Sequence, residues 1–265
     1  ILKGRFYLDE SLKMKTKAAG TTDMNWTRRF GALSLFVQQD IKLIWRNKRP
    51  RTTVWISLLF LAYGLFFYIN PSMKALPGFF VFAGIFISGV FVISFGQFIP
   101  AWDSNYYSMM MTQHIPLRKY LESKAGLLSF SVAVLFLLSI PYAYFGWKYV
   151  GLNLACALYN LGVNIPVILY AGSFNRKRID LEKSQFMNYQ GTGAAQWLVS
   201  LPLLLIPLGC WYAFYVVSSF EIAAVGLGLL GIAGVALRKY IMNGITRLYR
   251  RNKYAMINGF KQQGN

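Results

Sequence analysis

Acidic residues, cysteine and histidine are all scarce in this chain of 265 residues. Only 9 Asp and Glu face 28 Lys and Arg, so the formal net charge is +19, and charged residues make up just 14% of the chain. A soluble domain usually carries about 25% charged residues. Hydrophobic residues reach 55%, which excludes an intrinsically disordered chain, and having only two cysteines excludes a disulfide-rich scaffold. The composition is typical of a polytopic membrane protein, whose basic loops explain the positive charge without a nucleic-acid partner.

Signatures of catalysis and cofactor binding are missing as well. No P-loop motif occurs, and the single histidine, His114, has only Asp103 and Glu122 near it in sequence as partners for a metal or acid–base site. The glycines of GLGLLGIAG match the spacing of a dinucleotide-binding motif, but they lie inside an apolar stretch. We therefore expect no enzyme activity, no cofactor and no metal in this chain.

Six apolar stretches are long enough to cross a bilayer as helices, which takes about 17–25 residues each. None contains an internal charged residue, apart from Glu221 at the start of the sixth. Because lipid offers the backbone no hydrogen-bond partners, we expect an all-α protein. The predicted spans are residues 53–69, 77–99, 125–145, 154–173, 194–217 and 220–237.

The basic residues fall almost entirely on one side of the predicted spans. When loops alternate between the two sides, 26 of the 28 Lys and Arg lie on the side that carries both ends of the chain. The exceptions are Lys74 and Lys148. Because basic loops stay in the cytoplasm, we expect both ends to be cytoplasmic and the protein to lie in the inner membrane.

Three segments flank the predicted spans. Residues 1–25 are predicted to be a cytoplasmic linker from a missing upstream part, since the chain begins at Ile1. Residues 26–52 combine an amphipathic pattern with the basic run RNKRPR, so we expect a helix on the inner membrane surface, separated from the first span at Pro50. This helix either anchors the protein or transmits motion into the bundle. Residues 238–265 form a basic cytoplasmic tail.

The predicted cytoplasmic loop 101–124 is rich in apolar residues. Asp103 is placed to cap a short helix starting at Ser104, and Pro116 to open a second one. Methionine and aromatic side chains suit an adaptable docking surface, although a helix lying among lipid headgroups would use them too. The residues that we expect to dock a partner protein are Asp103, Tyr106, Tyr107, Met109, Met110, Met111, Arg118 and Lys119.

Polar and small residues inside the predicted spans indicate contacts between helices. Asn160 and Asn164 lie one turn apart in the fourth span, where they either join helices by hydrogen bonds or line a polar path. The sixth span contains glycines that would let a neighbouring helix approach closely. They are Gly226, Gly228, Gly231 and Gly234.

The order of these parts resembles the membrane subunit of type II ABC exporters. In that class a surface helix precedes six spans, and the loop between the second and third spans is a coupling helix that sits in the ATPase. The segments FVQQDIKLIWRNKRPR, PAWDSNYYSMMMTQHIP and RKYLESK resemble more closely an uncharacterised family of bacterial ABC permease-like proteins, whose members carry a further N-terminal membrane half. The resemblance covers nearly the whole chain, which would be the C-terminal half.

The resemblance implies a permease subunit that exports a hydrophobic or lipid-like substrate, with ATP bound and hydrolysed by a separate ABC ATPase subunit. The other expected partners are the lipid bilayer and either the missing N-terminal half or a second copy of the chain. The lack of charged groups inside the predicted spans agrees with an energy source outside the chain. The alternative is a structural or assembly subunit of a larger inner-membrane complex, which transports nothing.

Overall fold

A computed structural model describes residues 25–70, 76–113, 116–182 and 194–262, and every regular element in them is a helix. Short 3₁₀-helices lie at Asn25–Leu33, Ala101–Asp103 and Ile140–Phe145, and a π-helix lies at Asn160–Asn164. The α-helices are α1 (Ser34–Arg46), α2 (Lys48–Ile69), α3 (Pro77–Gly96), α4 (Tyr107–Thr112), α5 (Leu117–Ser139), α6 (Trp147–Tyr159), α7 (Ile165–Gly172), α8 (Ala194–Val217), α9 (Phe220–Ala236) and α10 (Arg238–Gln262).

Five helical segments of the described chain are long and apolar enough to cross a membrane. They are α2, α3, α5 with the 3₁₀-helix that follows it, α6 continued through the π-helix into α7, and α8 from Val199 onward. Helices α9 and α10 meet at a bend of 62° and count as a sixth span when taken together. The predicted all-helical class is confirmed for the described residues, and the apolar helices indicate a membrane-spanning protein.

Helix α3 lies at the centre of the bundle, in contact with α2, α5, α6, α7 and α8. Its sequence is apolar on every face, which is typical of a helix surrounded by other helices. The ring pairs Phe60–Phe86 and Tyr68–Phe80, with centroids 4.9 and 5.6 Å apart, align α2 antiparallel to α3. Helices α2 and α8 bury far less of their apolar surface, as expected of helices that face lipid.

One end of the bundle, which we call the basic end, is formed by Lys48, Gly96, Leu117, Gly172 and Ala236. Helix α1 packs there against α5, and α10 packs against α4, α5 and α7. The predicted basic tail is thus a long helix that folds back on the bundle. Its buried apolar side chains recur at spacings of three, four and seven residues, which places them on one face. They are Met242, Ile245, Tyr249, Met256 and Phe260.

The break between the surface helix and the first span lies at Asn47, whose backbone is extended with φ −105° and ψ 140°. The predicted break at Pro50 is therefore wrong by three residues. Pro50 lies in the first turn of α2, where a missing N–H and a fixed φ do not disturb a helix.

Helix α9 runs parallel to α6 and the π-helix in a close glycine contact. A side chain at Gly231 would overlap the backbone of Leu158, and one at Gly234 would overlap the backbone of Gly162. At Gly228 an added Cβ would lie 3.5 Å from Ala155, which is an ordinary contact distance. Two of the four glycines therefore carry the close approach.

The remaining glycine of this group, Gly226, faces a different helix. A Cβ added there would lie 3.0 Å from the ring of Phe214 on α8. The four glycines therefore do not form one continuous packing face.

We predict that Gly231→Leu lowers the free energy of unfolding by about 3 kcal/mol or more, because the new side chain would push α9 away from α6. Gly126→Leu is the matched control, since no heavy atom lies within 4 Å of a Cβ added at that position. Thermal melting of the detergent-solubilised proteins, followed by size-exclusion chromatography, measures both. Equal melting of the two variants would contradict the close packing.

Candidate functional site

The segment between α3 and α5 folds onto the basic end instead of projecting from it. The Trp102 side chain is fully buried, its indole Nε1 donates to the backbone oxygen of Phe95 at 2.8 Å, and the two rings stack at 5.0 Å. The buried Trp102 side chain fixes the neighbouring Asp103 next to α5, within hydrogen-bond distance of Tyr120. The predicted capping of a helix at Ser104 is wrong, because α4 begins at Tyr107 and no side chain caps it.

Three buried ionisable side chains form what we call the charge cluster: Asp40 on α1, Asp103 in the turn after α3, and Lys124 on α5. Lys124 Nζ lies 2.9 Å from Asp103 Oδ2 and also forms an ion pair with Asp40 Oδ1. The Tyr120 hydroxyl donates to Asp103 Oδ2 at 2.6 Å, and the Tyr106 hydroxyl donates to Oδ1 at 2.5 Å. All three charged side chains are at most 3% exposed.

Such a cluster is stable only because its members compensate one another. Removing an ion from water costs several kcal/mol. This cost is offset when opposite charges lie close together and additional hydrogen bonds form. Here one ammonium serves two carboxylates, and two tyrosine hydroxyls complete the shell of Asp103. The cluster therefore holds α1, the turn after α3 and the first turns of α5 in one fixed arrangement.

The two carboxylates of the cluster differ in their surroundings. Burial raises the pKa of Asp40 to about 6, with Asp103 adding to the increase and Lys124 opposing it. Its Oδ2 accepts no hydrogen bond from the part of the chain that the structure describes. Burial, together with the nearby Asp103 carboxylate, also raises the pKa of Tyr106, so that hydroxyl stays protonated and keeps donating.

Several residues predicted to dock a partner are covered by α10. Tyr107 is fully buried, its hydroxyl lies 3.7 Å from the sulfur of Met256, and its ring meets the ring of Phe260 edge-on at 5.5 Å. Met110 and Met111 are buried as well. The expectation of an exposed apolar surface is therefore wrong for these three residues, because the tail is a helix that packs against α4. Asp103, the fourth, is buried by Lys124 and the two tyrosines of the charge cluster.

The other predicted docking residues stay at the surface. Met109 is 55% exposed, Lys119 is exposed, and Tyr106 is partly buried. Arg118 pairs with Glu122 at 2.7 Å, and its Nη1 donates to Asn243 on α10 at 2.6 Å. Met109 and Lys119 are thus the two members of the predicted set that remain free to meet a partner.

Asn160 and Asn164 join helices in the structure. Asn160 Nδ2 donates to the backbone oxygen of Ile85 at 3.0 Å and to the Ser88 hydroxyl at 2.9 Å, both on α3. Asn164 Nδ2 donates to Asn160 Oδ1 at 2.6 Å and to the backbone oxygen of Leu203 on α8 at 3.1 Å. Both side chains are almost fully buried. These bonds connect the π-helix to two of its neighbours.

The sequence reasoning missed Asp40, Tyr120 and Lys124 as members of a site. Asp40 is the single acidic residue in the otherwise basic segment 26–52, and Lys124 directly precedes the predicted third span. An acidic residue alone in a basic segment and a lysine at the edge of a span were the signals in the sequence that could have indicated a buried ion pair.

The described residues hold no group of three or more His, Cys, Asp and Glu side chains placed to bind a metal, and His114 lies outside them.

The apolar helices indicate a membrane-spanning helical protein, and the charge cluster gives it a structured basic end. The chain belongs to DUF5687, described as a family of unknown function, which it matches over residues 1–263. No curated protein and no solved structure matches it.

We predict that Lys124→Met lowers the free energy of unfolding by about 3–5 kcal/mol, because it leaves two buried carboxylates without a cation. Lys119→Met removes the same charge from an exposed position on the same helix and should change stability by less than about 0.5 kcal/mol. Thermal melting in detergent compares the two. A similar stability in both variants would show that the cluster contributes little.

Asp40 should make stability depend on pH. Because its pKa is higher in the folded protein than the ordinary 3.8, its stabilising contribution is complete below that value and is lost as pH rises through about 6. We expect the melting temperature to fall between about pH 4 and about pH 6.5 and to level off above that, and Asp40→Asn to remove most of that slope. The exposed control Glu182→Gln should keep the slope. An unchanged slope in Asp40→Asn would contradict the assignment.

Proposed function

We propose that this protein is the permease subunit of an ABC-type exporter in the inner membrane. It moves a hydrophobic or lipid-like substrate, while a separate ATPase subunit binds and hydrolyses ATP. The observation that carries the proposal is the charge cluster, because it joins the segment between two spans directly to a spanning helix and to the surface helix α1.

A permease driven by a separate ATPase needs a stiff connection from its cytoplasmic surface to its membrane helices. Helix α4 lies between α3 and α5 and is held on one side by Tyr107 against α10. On the other side the turn before it is held to α5 through Asp103 and Lys124. Because these contacts are buried and specific, a force on α4 would be passed to α5 instead of being absorbed by a flexible loop.

The distribution of charge supports a cytoplasmic position for the basic end. Helix α10 alone carries seven Lys and Arg and no acidic residue, and α1 and the start of α2 add further basic residues. Positive residues near the ends of spans favour the cytoplasmic side of a membrane. In this orientation Met109 and Lys119 would face an ATPase below the membrane.

A structural or assembly subunit of a larger inner-membrane complex is the second candidate. It is favoured by the closed contact of the π-helix with α3 and α8, where Asn160 and Asn164 are hydrogen-bonded to those helices and do not line an open polar path. In this function the same basic end would bind structural partners instead of an ATPase.

Purification of the tagged protein from native membranes, with mass spectrometry of bound partners, separates the two candidates. We predict recovery of an ATPase with a P-loop, and its loss in the double variant Met109→Asp/Lys119→Glu, because Met109 on α4 and Lys119 in the first turn of α5 are both exposed. Buried Tyr107 and Met110 are unsuitable for this test, since changing them would disturb the fold.

Tyr144→Asp is the matched control, because Tyr144 is 90% exposed in the 3₁₀-helix Ile140–Phe145, at the end of the bundle opposite the basic end. It should retain the partner. Recovery of a large assembly without an ATPase would support the second candidate and contradict the first. Full retention of an ATPase by Met109→Asp/Lys119→Glu would contradict docking at α4.

A further inference from the structure

A groove of about 620 Å³ lies where α9 bends into α10, beside the π-helix and α7. Its volume falls in the range of about 300–1,000 Å³ that is usual for small-molecule sites. The inner part is apolar and is lined by small residues at the close contact between helices, including Gly162, Pro166 and Gly234. Gly244 on α10 leaves its wall open, because a Cβ added there would meet no heavy atom within 4 Å.

The outer part of the groove carries two positive charges. Arg247 and Arg251 line it, and they lie one turn apart on α10, so that they share a face. Both are exposed, and neither forms an ion pair with any residue that the structure describes. Helices α6, α7 and α10 contain no acidic residue, and Glu221 of α9 lies in the first turn of that helix, at the end opposite the groove.

The groove runs along α7, from the π-helix towards the basic end. Its apolar residues begin at Gly162 in the π-helix and continue to Tyr170, which is 53% exposed near the end of α7 at the basic end. Half-exposed tyrosines are typical of the boundary between hydrocarbon and headgroups. In a bilayer whose headgroups lie at Tyr170, the apolar part of the groove would face lipid chains and the two arginines would face phosphates.

We propose that this groove binds an anionic phospholipid from the leaflet at the basic end. An acyl chain lies between α7 and α10 along the small residues, and the phosphate accepts hydrogen bonds from the Arg247 and Arg251 guanidinium groups. Arginine pairs bind phosphate through paired N–H donors, and basic pockets between spanning helices hold acidic headgroups. The site requires no transport, so it stands independently of the proposed function.

The experiment measures retention of phosphatidylglycerol and of phosphatidylcholine with the same acyl chains, by native mass spectrometry of the full chain released from mixed vesicles. We expect the wild-type protein to retain phosphatidylglycerol about tenfold better. Arg247→Gln/Arg251→Gln should abolish this preference. The control Arg238→Gln/Arg250→Gln loses the same charge from α10 outside the groove and should keep it. Equal retention of the two lipids by the wild type, or equal loss in both double variants, would overturn the proposal.

A second variant tests the apolar part of the site. Gly244→Leu adds an apolar side chain to the groove and leaves both arginine charges in place, so it should reduce phosphatidylglycerol retention about tenfold while the melting temperature does not fall. Gly126→Leu, on α5 and outside the groove, should bind lipid as the wild type does. If Gly244→Leu retains phosphatidylglycerol fully, no acyl chain lies in the groove and the proposed lipid site is wrong.

Discussion

The basic end of this protein depends on a single buried ammonium shared by two carboxylates. Lys124 reaches Asp103 in the turn after α3 and Asp40 on α1, so three segments that are far apart in sequence meet at one charge. Each of these ions would be costly to bury alone, and removing one leaves the others uncompensated. The position of α1, the direction of the turn and the start of α5 are therefore set together. Helix α10 then packs over α4 and hides Tyr107.

The two ends of the bundle are held together by different interactions. At the basic end, ion pairs and tyrosine hydroxyls complement the packing of aromatic and aliphatic side chains. At the opposite end, Tyr68 packs against Tyr142 and Tyr149 and donates its hydroxyl to Asn153 at 2.9 Å. Between them, glycine contacts bring α9 against α6. Among the described residues, the buried ion pairs thus lie at the basic end, which is where the proposed partner and the proposed lipid would bind.

The sequence predicted the helical class and the approximate position of the apolar helices because spanning segments are long, apolar and uncharged. It did not predict the contacts of the basic end. The apolar residues of loop 101–124 have the same composition whether they face a partner or α10, and only the fold shows that Tyr107 is covered. The spacing of Met242, Ile245 and Tyr249 was a local signal for an amphipathic tail helix. The partners of Lys124 are 84 and 21 residues away in sequence, so no local pattern pairs them.

The charge cluster makes α1, α4 and the start of α5 one mechanical unit. Hydrogen–deuterium exchange of the full chain in nanodiscs, compared between the wild type and Lys124→Met, distinguishes this arrangement from three independent segments. We expect faster exchange in residues 34–46 and 101–112 of the variant, and unchanged exchange in α9, which does not touch the cluster. Faster exchange confined to α5, with residues 34–46 and 101–112 as protected as in the wild type, would contradict it.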